Sequence, residues 1–318
     1  MKNIFELTAL VPKTLLCKNR LDLVLKSLFH QYSRTFLKKN ILKKNVFVNG
    51  SVFDRPDLKV FFKDLICIKL KLKKNNFLKS EDISLDIVYE DNDILIINKQ
   101  NNLVVHPGAG NKNGTLLNAL LYYNDIFLNV PRAGIVHRLD KNTTGLMVVA
   151  KNVFAYKALI QQIKDKRVIR EYQAIVHGRV ISGGTITEPI MRNPIKRTTM
   201  KVHYNGKTAI THYRVLQRFM YYTHLRVQLE TGRTHQIRVH MLHINFPIIG
   251  DTIYNNKRKF CKNISLKLFN KIQKFPRQAL HASKLCLYHP VTQCLMEWNS
   301  VLPTDMLSLI ECLNSNNM

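Results

Sequence analysis

The spacing of apolar residues in the first quarter of the chain predicts two consecutive helices. Between Arg20 and His30 the apolar side chains recur every three or four residues, at Leu21, Val24, Leu25 and Leu28. This is the spacing of one buried helix face. Ser33 follows at the position of an N-cap, and a second helix is expected to run from there through Ile41.

A dipeptide typical of tight turns follows the second helix. Val46-Phe47-Val48 and Ser51-Val52-Phe53 are short runs of strand-forming residues, and Asn49-Gly50 lies between them. This arrangement predicts a β-hairpin. Together, the two helices and the hairpin are expected to form a small domain over residues 18–70.

The chain between residues 71 and 82 has no periodic apolar pattern. It is rich in lysine and contains two adjacent asparagines, a composition typical of a solvated connection. We therefore expect a linker over 71–82 and a second domain over 83–318.

The second domain mixes strand and helix patterns in an irregular order. The strand signals are residues 94–97, 146–149 and 224–229, and the helical signals are residues 116–123 and 237–244. A repeating βαβ layout would alternate the two patterns regularly. The order therefore favours an α+β fold, with a largely antiparallel mixed sheet and flanking helices.

Basic residues far outnumber acidic ones. The 318 residues include 49 Lys or Arg and 21 Asp or Glu, a formal net charge of +28. The first 80 residues hold 18 of the basic and 5 of the acidic side chains. Charge this unbalanced gives a wide positive surface, which indicates a polyanionic partner. No apolar run approaches the roughly 18 residues of a spanning helix, so no membrane attachment is expected.

The cysteine pattern indicates free thiols. Six cysteines lie along the chain without a Cys-x-x-Cys pair or regular spacing. A chain of this length buries a core without disulfides, so we expect free thiols and a reducing cytoplasmic location. Only the even number of cysteines favours the alternative, a disulfide framework.

Several common catalytic motifs are absent from the sequence. There is no GxxxxGK[ST], GxGxxG, GxSxG or HExxH segment, so nucleotide hydrolysis and hydride transfer are not expected. His235, His240 and His243 have spacings of five and three residues, with no cysteine or acidic pair nearby. That pattern does not match a standard zinc site, and we expect no metal.

A polar constellation, His137-Arg138-Leu139-Asp140, stands just before an apolar strand. Lys141-Asn142-Thr143-Thr144-Gly145 follows it as a turn-forming segment. A loop of this kind brings its carboxylate to the edge of a sheet. Asp next to Asn, Thr and Gly is often only a turn or cap residue, and this segment alone leaves both interpretations open.

A second constellation runs from Gly232 to His240 and continues as a helix, with Arg238 one turn after Thr234. A buried arginine needs a carboxylate partner, so an inward-facing Arg238 is expected to pair with an inward-facing aspartate. A fork-shaped ion pair would keep that carboxylate charged, as a nucleophile requires. The alternative is a solvated arginine that faces RNA phosphates.

A third segment, Arg170-Glu171-Tyr172-Gln173-Ala174-Ile175-Val176, reads as a strand. Tyr172, Ala174 and Val176 share one of its faces. A tyrosine in such a position usually packs in the core. At the border of a pocket it can also stack on a nucleobase and offer its hydroxyl for proton transfer.

These three segments together resemble the RluA-type pseudouridine synthases. The likeness also extends through residues 99–108 and covers nearly all of residues 83–300. Residues 131–135 and 209–214 resemble in particular the branch of the family that acts on the large ribosomal subunit. The resemblance implies an isomerase domain preceded by an S4-like RNA-binding domain at residues 18–70.

The resemblance implies a role for each matching residue. Asp140 is implied as the catalytic aspartate and Arg238 as its ion-pair partner. Tyr172 is implied as the base-stacking tyrosine, and Arg138 as the side chain that fills the gap left by an extruded uridine. The other polar residues expected to bind substrate are His137, Arg233 and His235. The resemblance implies no metal and no cofactor.

The implied substrate is 23S ribosomal RNA, in the large ribosomal subunit or its precursor, with a target in the helix 69 hairpin. The expected reaction cleaves the bond from ribose to N1, rotates the ring and forms a bond to C5. Asp140 would act either on the sugar or on a proton beside it. The alternative is a non-catalytic RNA-binding or ribosome-assembly factor, which the intact Asp140, Tyr172 and Arg238 disfavour. A monomer is expected.

The second predicted helix and its exit carry the basic residues Arg34, Lys38, Lys39, Lys43 and Lys44. Basic runs of this kind are often only a solvated helix face. The charge excess of the whole chain favours contact with nucleic acid instead, and the resemblance narrows that partner to RNA.

Overall fold

The computed structural model describes residues 4–15, 20–30, 32–71, 79–108, 110–255 and 265–316. The chain divides into two units, residues 1–77 and residues 78–318. Each unit has its own sheet and its own apolar core.

The first unit contains a four-stranded antiparallel sheet and two helices. Its elements are β1 (Ile4–Leu10), α1 (Leu21–Leu28), α2 (Arg34–Leu42), β2 (Val46–Val48), β3 (Ser51–Val52) and β4 (Leu65–Lys71). The strand order is β1-β4-β2-β3. The sequence predicted both helices and the hairpin because their signals are local. Ser33 caps α2 by accepting a hydrogen bond from the Phe36 amide, and Asn49 and Gly50 both have positive φ angles in the turn.

Strand β1 was not predicted. It lies before residue 18, where the sequence analysis placed the start of the small domain, and it pairs with β4 over its whole length. Leu7 and Ala9 are half-buried, whereas Glu6, Thr8 and Leu10 are exposed. This alternation is too weak to predict a strand by itself. Strand β1 forms by pairing with β4, which lies more than 50 residues further along the chain.

The second unit contains strands β5 to β15 and helices α3 to α7. In chain order they are β5 (Ile87–Glu90), β6 (Ile94–Lys99), α3 (Leu116–Tyr123), β7 (Thr144–Ala150), α4 (Val153–Lys164), β8 (Ile169–His177), β9 (Gly184–Ile186), β10 (Ile190–Arg192), β11 (Met200–Val202), β12 (Thr211–Arg218), β13 (Tyr222–Leu229), α5 (Gln236–His243), α6 (Leu266–Gln273), β14 (Leu280–Tyr288), β15 (Leu295–Asn299) and α7 (Thr304–Ser315).

One large sheet organises the second unit. Its strand order is β5-β6-β7-β14-β8-β13-β12-β9, with β15 paired to β14. The pairing of β7 with β14 is parallel, and the other pairings in this sheet are antiparallel. The predicted largely antiparallel mixed sheet is therefore confirmed. Strands β10 and β11 form a separate antiparallel pair.

Apolar side chains cover both faces of this sheet. In β6, Leu95 and Ile97 belong to the larger core, whereas Ile94 and Ile96 belong to a second core on the opposite face. Helices α3, α5, α6 and α7 contribute to the larger core, and α4 contributes to the smaller one. Burial on both faces explains why the sequence of β6 is a continuous apolar run.

The predicted linker lies only partly within the described residues, because 72–78 fall outside them. Its last residues contact α3. The Glu81 amide donates to the Asn118 carbonyl oxygen, and the Asn118 side-chain amide donates to the Lys79 carbonyl oxygen. These contacts attach residues 79–82 to the second unit.

The described cysteines are free thiols: Cys67, Cys286, Cys294 and Cys312. Cys17 and Cys261 lie outside the described residues. Within the described part of the chain, every helix is too short or too polar to cross a membrane.

Gly145 allows β7 and β14 to approach each other. It lies opposite Ala282 in the parallel pair and has a φ of +114°. A Cβ atom on Gly145 would lie 2.2 Å from the Ala282 carbonyl oxygen and 2.5 Å from the Ala282 nitrogen. Both atoms are backbone of the neighbouring strand and cannot move aside alone.

We expect Gly145→Ala to lower the free energy of unfolding by about 3 kcal/mol, since it combines positive-φ strain with a backbone clash. Gly114→Ala is the matched control, because Gly114 has a φ of +67° and no atom within 4 Å of its added Cβ. The control should lose only about 1 kcal/mol. Urea unfolding measures both variants, and equal losses would show that the close approach of the strands is not the cause.

Candidate active site

Asp140 lies in the loop that enters β7 from the 3-10 turn Pro131–Gly134. The Thr143 amide donates to the Asp140 carbonyl oxygen at 3.0 Å, so the backbone of Asp140 forms the turn that its neighbours predict. Its side chain is 15% exposed and is free for other contacts. The turn and site interpretations of Asp140 are therefore compatible.

His137 fastens this loop to the sheet. Its Nε2 accepts a hydrogen bond from the Val148 amide of β7 at 3.0 Å. Burial, with a smaller contribution from the charge of Arg170, lowers the pKa of His137 to about 3. The ring is therefore neutral at physiological pH and carries its proton on Nδ1.

Two buried cations hold the carbonyl oxygens that follow Asp140. Lys99 Nζ donates to the Lys141 carbonyl oxygen at 3.1 Å and also to those of Gln100 and Leu103. Arg277 Nη1 lies 3.4 Å from the Asn142 carbonyl oxygen. Burial lowers the pKa of Lys99 to about 7, although the charge of Asp140 opposes this shift.

Arg238 enters the site from the first turn of α5. His235 occupies the N-cap position with a φ of +56°, which turns the chain sharply into the helix. Gln236 fixes this turn, because its Oε1 accepts hydrogen bonds from the Thr231 hydroxyl and the Arg233 amide. Arg238 itself is 4% exposed.

The Arg238 guanidinium bridges two aspartates. Its Nη1 donates to Asp140 Oδ2 at 2.9 Å. Its Nε and Nη2 donate to Asp251 at 2.6 and 2.9 Å. The ion pair between Arg238 and Asp140 that the sequence analysis expected is present, and the fork-shaped pair is made with Asp251 instead.

Both oxygens of the buried Asp251 carboxylate accept hydrogen bonds from Arg238. The Asp251 side chain is 1% exposed, and its Oδ1 also accepts the amides of Ile253 and Tyr254. Burial alone would lower the pKa of Arg238, but the hydrogen bonds and charge of Asp251, with Asp140 adding to them, raise it overall. The guanidinium is therefore a permanent charge facing Asp140.

Tyr254 and His235 complete the surroundings of this cluster. The Arg238 guanidinium lies over the Tyr254 ring, 4.9 Å from its centre. His235 Nδ1 lies 2.8 Å from the Tyr254 hydroxyl oxygen, and His235 Nε2 lies 4.0 Å from Asp140 Oδ1. Burial lowers the pKa of His235, against the charge of Asp140.

The cluster opens into a cavity of about 860 Å³ within the second unit. All the predicted catalytic and substrate-binding residues line this cavity: His137, Arg138, Asp140, Tyr172, Arg233, His235 and Arg238. Tyr172, on β8, is 5% exposed, and burial raises its pKa. A cavity of this size, with a few convergent polar groups, is typical of a small-ligand or single-nucleotide site.

Two of the arginines that line the cavity, both predicted to bind substrate, lie at its exposed side. Arg138 and Arg233 are both exposed, and Arg233 Nε donates to the Thr208 carbonyl oxygen at 3.0 Å. The cavity therefore combines exposed cations at its rim with buried polar groups further in.

The basic residues predicted to contact RNA lie in the first unit. Lys38, Lys39 and Lys43 are exposed and make no ion pair among the described residues. Lys44 lies 3.9 Å from Asp54. Arg34 donates to Asp22 through Nε and Nη2, so its charge is compensated within the protein.

No local sequence pattern predicted a role for Asp251, Tyr254, Gln236 or Lys99. Asp251 follows Gly250 in a segment that looks like an ordinary turn, and Lys99 looks like an exposed strand end. Asp251, Tyr254 and Lys99 contact residues 13, 19 and 42 positions away. Gln236 fixes its turn through local contacts. The one sequence-based argument that could have identified Asp251 is that a buried arginine needs a carboxylate partner.

One cluster in the described chain brings together side chains that could hold a metal ion: Asp91, Asp93 and His289. None of the three lines the cavity. His289 Nδ1 accepts the Thr292 amide, and its Nε2 lies 3.1 Å from Asp91. His289 Nε2 is buried and makes no hydrogen bond with the described residues in this arrangement.

The sequence matches a known family over the part that contains this site. Residues 93–243 match the model of the family described as RNA pseudouridylate synthase. This range includes Asp140, Tyr172 and Arg238, whereas Asp251 lies eight residues beyond its end.

Curated relatives cover almost the entire chain. The "Ribosomal large subunit pseudouridine synthase D" of Buchnera aphidicola subsp. Baizongia pistaciae is 66% identical, over 99% of this chain and 100% of the relative. The protein of the same name in Escherichia coli strain K12 is 50% identical, over 98% of this chain and 95% of the relative.

Solved structures share a fold with most of the chain. "Human RNA Pseudouridylate Synthase Domain Containing 4" matches with a TM-score of 0.57 and 26% identity, over 72% of this chain and 93% of that one. "Human RNA Pseudouridylate Synthase Domain Containing 1" matches with a TM-score of 0.56 and 26% identity, over 73% and 89%. With an aspartate held by a buried arginine at the floor of a nucleotide-sized cavity, and with relatives this similar, the chain belongs to the RNA pseudouridine synthase family.

Proposed function

We propose that this protein isomerises specific uridines to pseudouridine in the 23S ribosomal RNA of the large subunit, with Asp140 as the catalytic carboxylate. The observation that carries the proposal is the contact between Asp140 and the doubly anchored Arg238 inside the cavity. The names of the 50–66% identical relatives support the choice of RNA. We infer a monomer that acts in the cytoplasm, where the large subunit or its precursor is available.

Different residues of the cavity act at different steps of the reaction. The target uridine must leave its stack, which costs a few kcal/mol. Arg138, exposed at the rim, enters the gap in the RNA, while Tyr172 stacks on the extruded ring. Asp140 then acts beside the anomeric carbon, either by attack on the sugar or by removal of a proton.

Arg238 prepares Asp140 for this step. A charged carboxylate in a cavity is costly unless a cation compensates it, and Arg238 supplies that charge at 2.9 Å. Asp251 holds the guanidinium from the other side, so Arg238 does not need to reorganise when the substrate binds. His137, Arg233 and His235 contact the nucleotide around this centre.

The first unit is proposed to grip the RNA as an S4-like domain. Support comes from its exposed Lys38, Lys39 and Lys43, which have no acidic partner among the described residues. Free lysines on a helix and its exit are available for phosphate oxygens. Arg34 contributes less because Asp22 already holds it.

Mapping of pseudouridine in large-subunit ribosomal RNA tests the proposed function. The purified protein is incubated with unmodified 23S transcript and, separately, with precursor large subunits, and the product is mapped at nucleotide resolution. We expect modification of a few defined uridines, with helix 69 as the expected location. Binding without any modified uridine would instead support an RNA-binding or assembly factor.

Asp140→Asn is expected to abolish product formation, by about 10³-fold or more, while RNA affinity stays within about threefold of wild type. The amide has the shape of the carboxylate but is neither a nucleophile nor a base. Single-turnover assays and filter binding measure the two effects. Turnover within about tenfold of wild type would remove Asp140 from the catalytic role.

Asp251→Asn tests whether Asp251 positions Arg238. It does not line the cavity, so RNA affinity should change little, whereas kcat should fall about 10²-fold as Arg238 loses its fixed orientation. Loss of one partner of a buried ion pair should also cost about 3 kcal/mol of stability.

Glu90→Gln is the matched control, because Glu90 pairs with the largely buried Lys151 at 2.8 Å in the same unit and neither residue lines the cavity. It should lose comparable stability but much less of kcat. Equal effects of both substitutions on kcat per folded molecule would show that Asp251 acts only through general stability.

Salt dependence tests the first unit. Replacing Lys38, Lys39 and Lys43 together by alanine should reduce the slope of log Kd against log salt by about 2 to 3, since each lost phosphate contact is worth roughly 0.7 to 0.9. The control replaces the exposed Lys157, Lys267 and Lys274 of the second unit, which do not line the cavity. If both variants change this slope equally, the lysines of α2 and its exit do not form a specific RNA-binding surface.

A further inference from the structure

Arg170 differs from the other buried cations of the molecule. Among the described residues, the buried lysine and arginine side chains are Lys99, Arg170, Arg238 and Arg277. Arg238 and Arg277 each hold an aspartate through two hydrogen bonds, and Lys99 donates to three carbonyl oxygens. Arg170 is 6% exposed. In the described part of the chain it is paired with no aspartate and is not surrounded by several carbonyl oxygens.

The contacts of Arg170 leave its charge uncompensated. Its Nη2 makes one long hydrogen bond, 3.3 Å, to the Glu230 carbonyl oxygen, and its buried Nε has no partner. The Glu230 carboxylate is occupied by Lys166 and His212, at 2.6 and 2.7 Å. Since an unpaired buried charge is costly, the arrangement is explained best by an acceptor that arrives from outside the protein.

His137 offers a second unused donor near Arg170. Its Nε2 is occupied by the Val148 amide, so the proton of the neutral ring is on Nδ1. That Nδ1 atom is buried and has no acceptor. The charge of Arg170 acts on His137, and both side chains line the cavity with Tyr172 and Asp140.

The burial of these donors indicates which part of a nucleotide they meet. The exposed Arg233 lies at the rim of the same cavity and suits the phosphates of the RNA backbone. Arg170 shares a face of β8 with Tyr172, two residues away, and both are buried. The ligand group at this depth is therefore the base, whose acceptors are its carbonyl oxygens.

We propose that Arg170, with His137 beside it, binds a carbonyl oxygen of the flipped uracil and stabilises the negative charge of the ring during the reaction. The inference rests on the proposed function. When the bond from C1′ to N1 breaks, its electron pair stays on uracil, where N1, O2 and O4 share the charge. After rotation, C5 forms the new bond to C1′, the C5 proton leaves and N1 gains a proton.

Gly232 keeps the space beside Arg170 open. A Cβ atom at Gly232 would lie 3.0 Å from Arg170 Nη1, and no other atom would lie within 4 Å of it. Gly232→Ala therefore displaces the guanidinium by a few tenths of an ångström without removing its charge. It provides a mild perturbation directed at this one side chain.

The test combines Arg170→Met with RNAs that carry 2-thiouridine or 4-thiouridine at the mapped target, because sulfur is a poorer hydrogen-bond acceptor than oxygen. We expect Arg170→Met to slow single-turnover isomerisation about 10²-fold. One of the two thio substitutions should slow the wild type about tenfold and leave the rate of Arg170→Met unchanged. Gly232→Ala should show a smaller loss of rate and a reduced thio effect.

Three comparisons make the outcome decisive. Arg167→Met, which removes an exposed arginine stacked on Tyr288 outside the cavity, should keep the thio effect of the wild type. Equal thio effects in wild type and Arg170→Met would overturn the inference. So would a loss of sensitivity in Arg170→Met to a neutral methylphosphonate 5′ of the target, since the partner would then be a phosphate.

Stability separates this role from a structural one. Methionine removes an unpaired buried charge, so the Tm of Arg170→Met should equal or exceed that of wild type, and a large fall in Tm would contradict the inference. Its failure is distinct from failure of the proposed function. If only the role of Arg170 is wrong, the wild type still makes pseudouridine. If the proposed function is wrong, the wild type makes no pseudouridine on any RNA.

Discussion

The rest of the site depends on the shared guanidinium of Arg238. One edge meets Asp140 and the other meets Asp251, which lies out of reach of the cavity. Because Asp251 takes two of the hydrogen bonds, Arg238 reaches Asp140 in a fixed orientation and with a permanent charge. The carboxylate that faces the cavity is therefore held ready by a cation that is itself immobilised, which is the electrostatic preorganisation that enzymes use.

Buried cations also organise the backbone around Asp140. Lys99 and Arg277 contact the carbonyl oxygens of Lys141 and Asn142, directly after the aspartate. Together with the bond from the Val148 amide to His137, these contacts fasten both ends of the loop to the sheet. Arg170 is the exception among these buried cations, and its unused donors are the clearest indication of a ligand group that the protein alone does not supply.

Local signals explain what could be predicted. Ser33 and the Asn49-Gly50 turn define their elements through neighbours a few residues away, so the two helices and the hairpin are correct. A general rule about buried arginine predicted an aspartate partner for Arg238, and the family resemblance identified that partner as Asp140. Strand β1 was missed because its pattern is weak without β4, and Asp251 was missed because it resembles an ordinary turn residue.

Local patterns in the amino-acid sequence were enough to place both helices and the hairpin of the first unit, and α3, α5 and several strands of the second unit. Composition gave the excess of positive charge and the residue types available for chemistry. Which of these residues contact one another depends on the tertiary fold. Asp140 and Arg238 lie 98 residues apart in the chain, and Arg170 stays unpaired because the Glu230 carboxylate turns to Lys166 and His212. Such contacts depend on how the strands of one sheet and helix α5 pack against each other. A local sequence pattern cannot predict which residues this packing brings together.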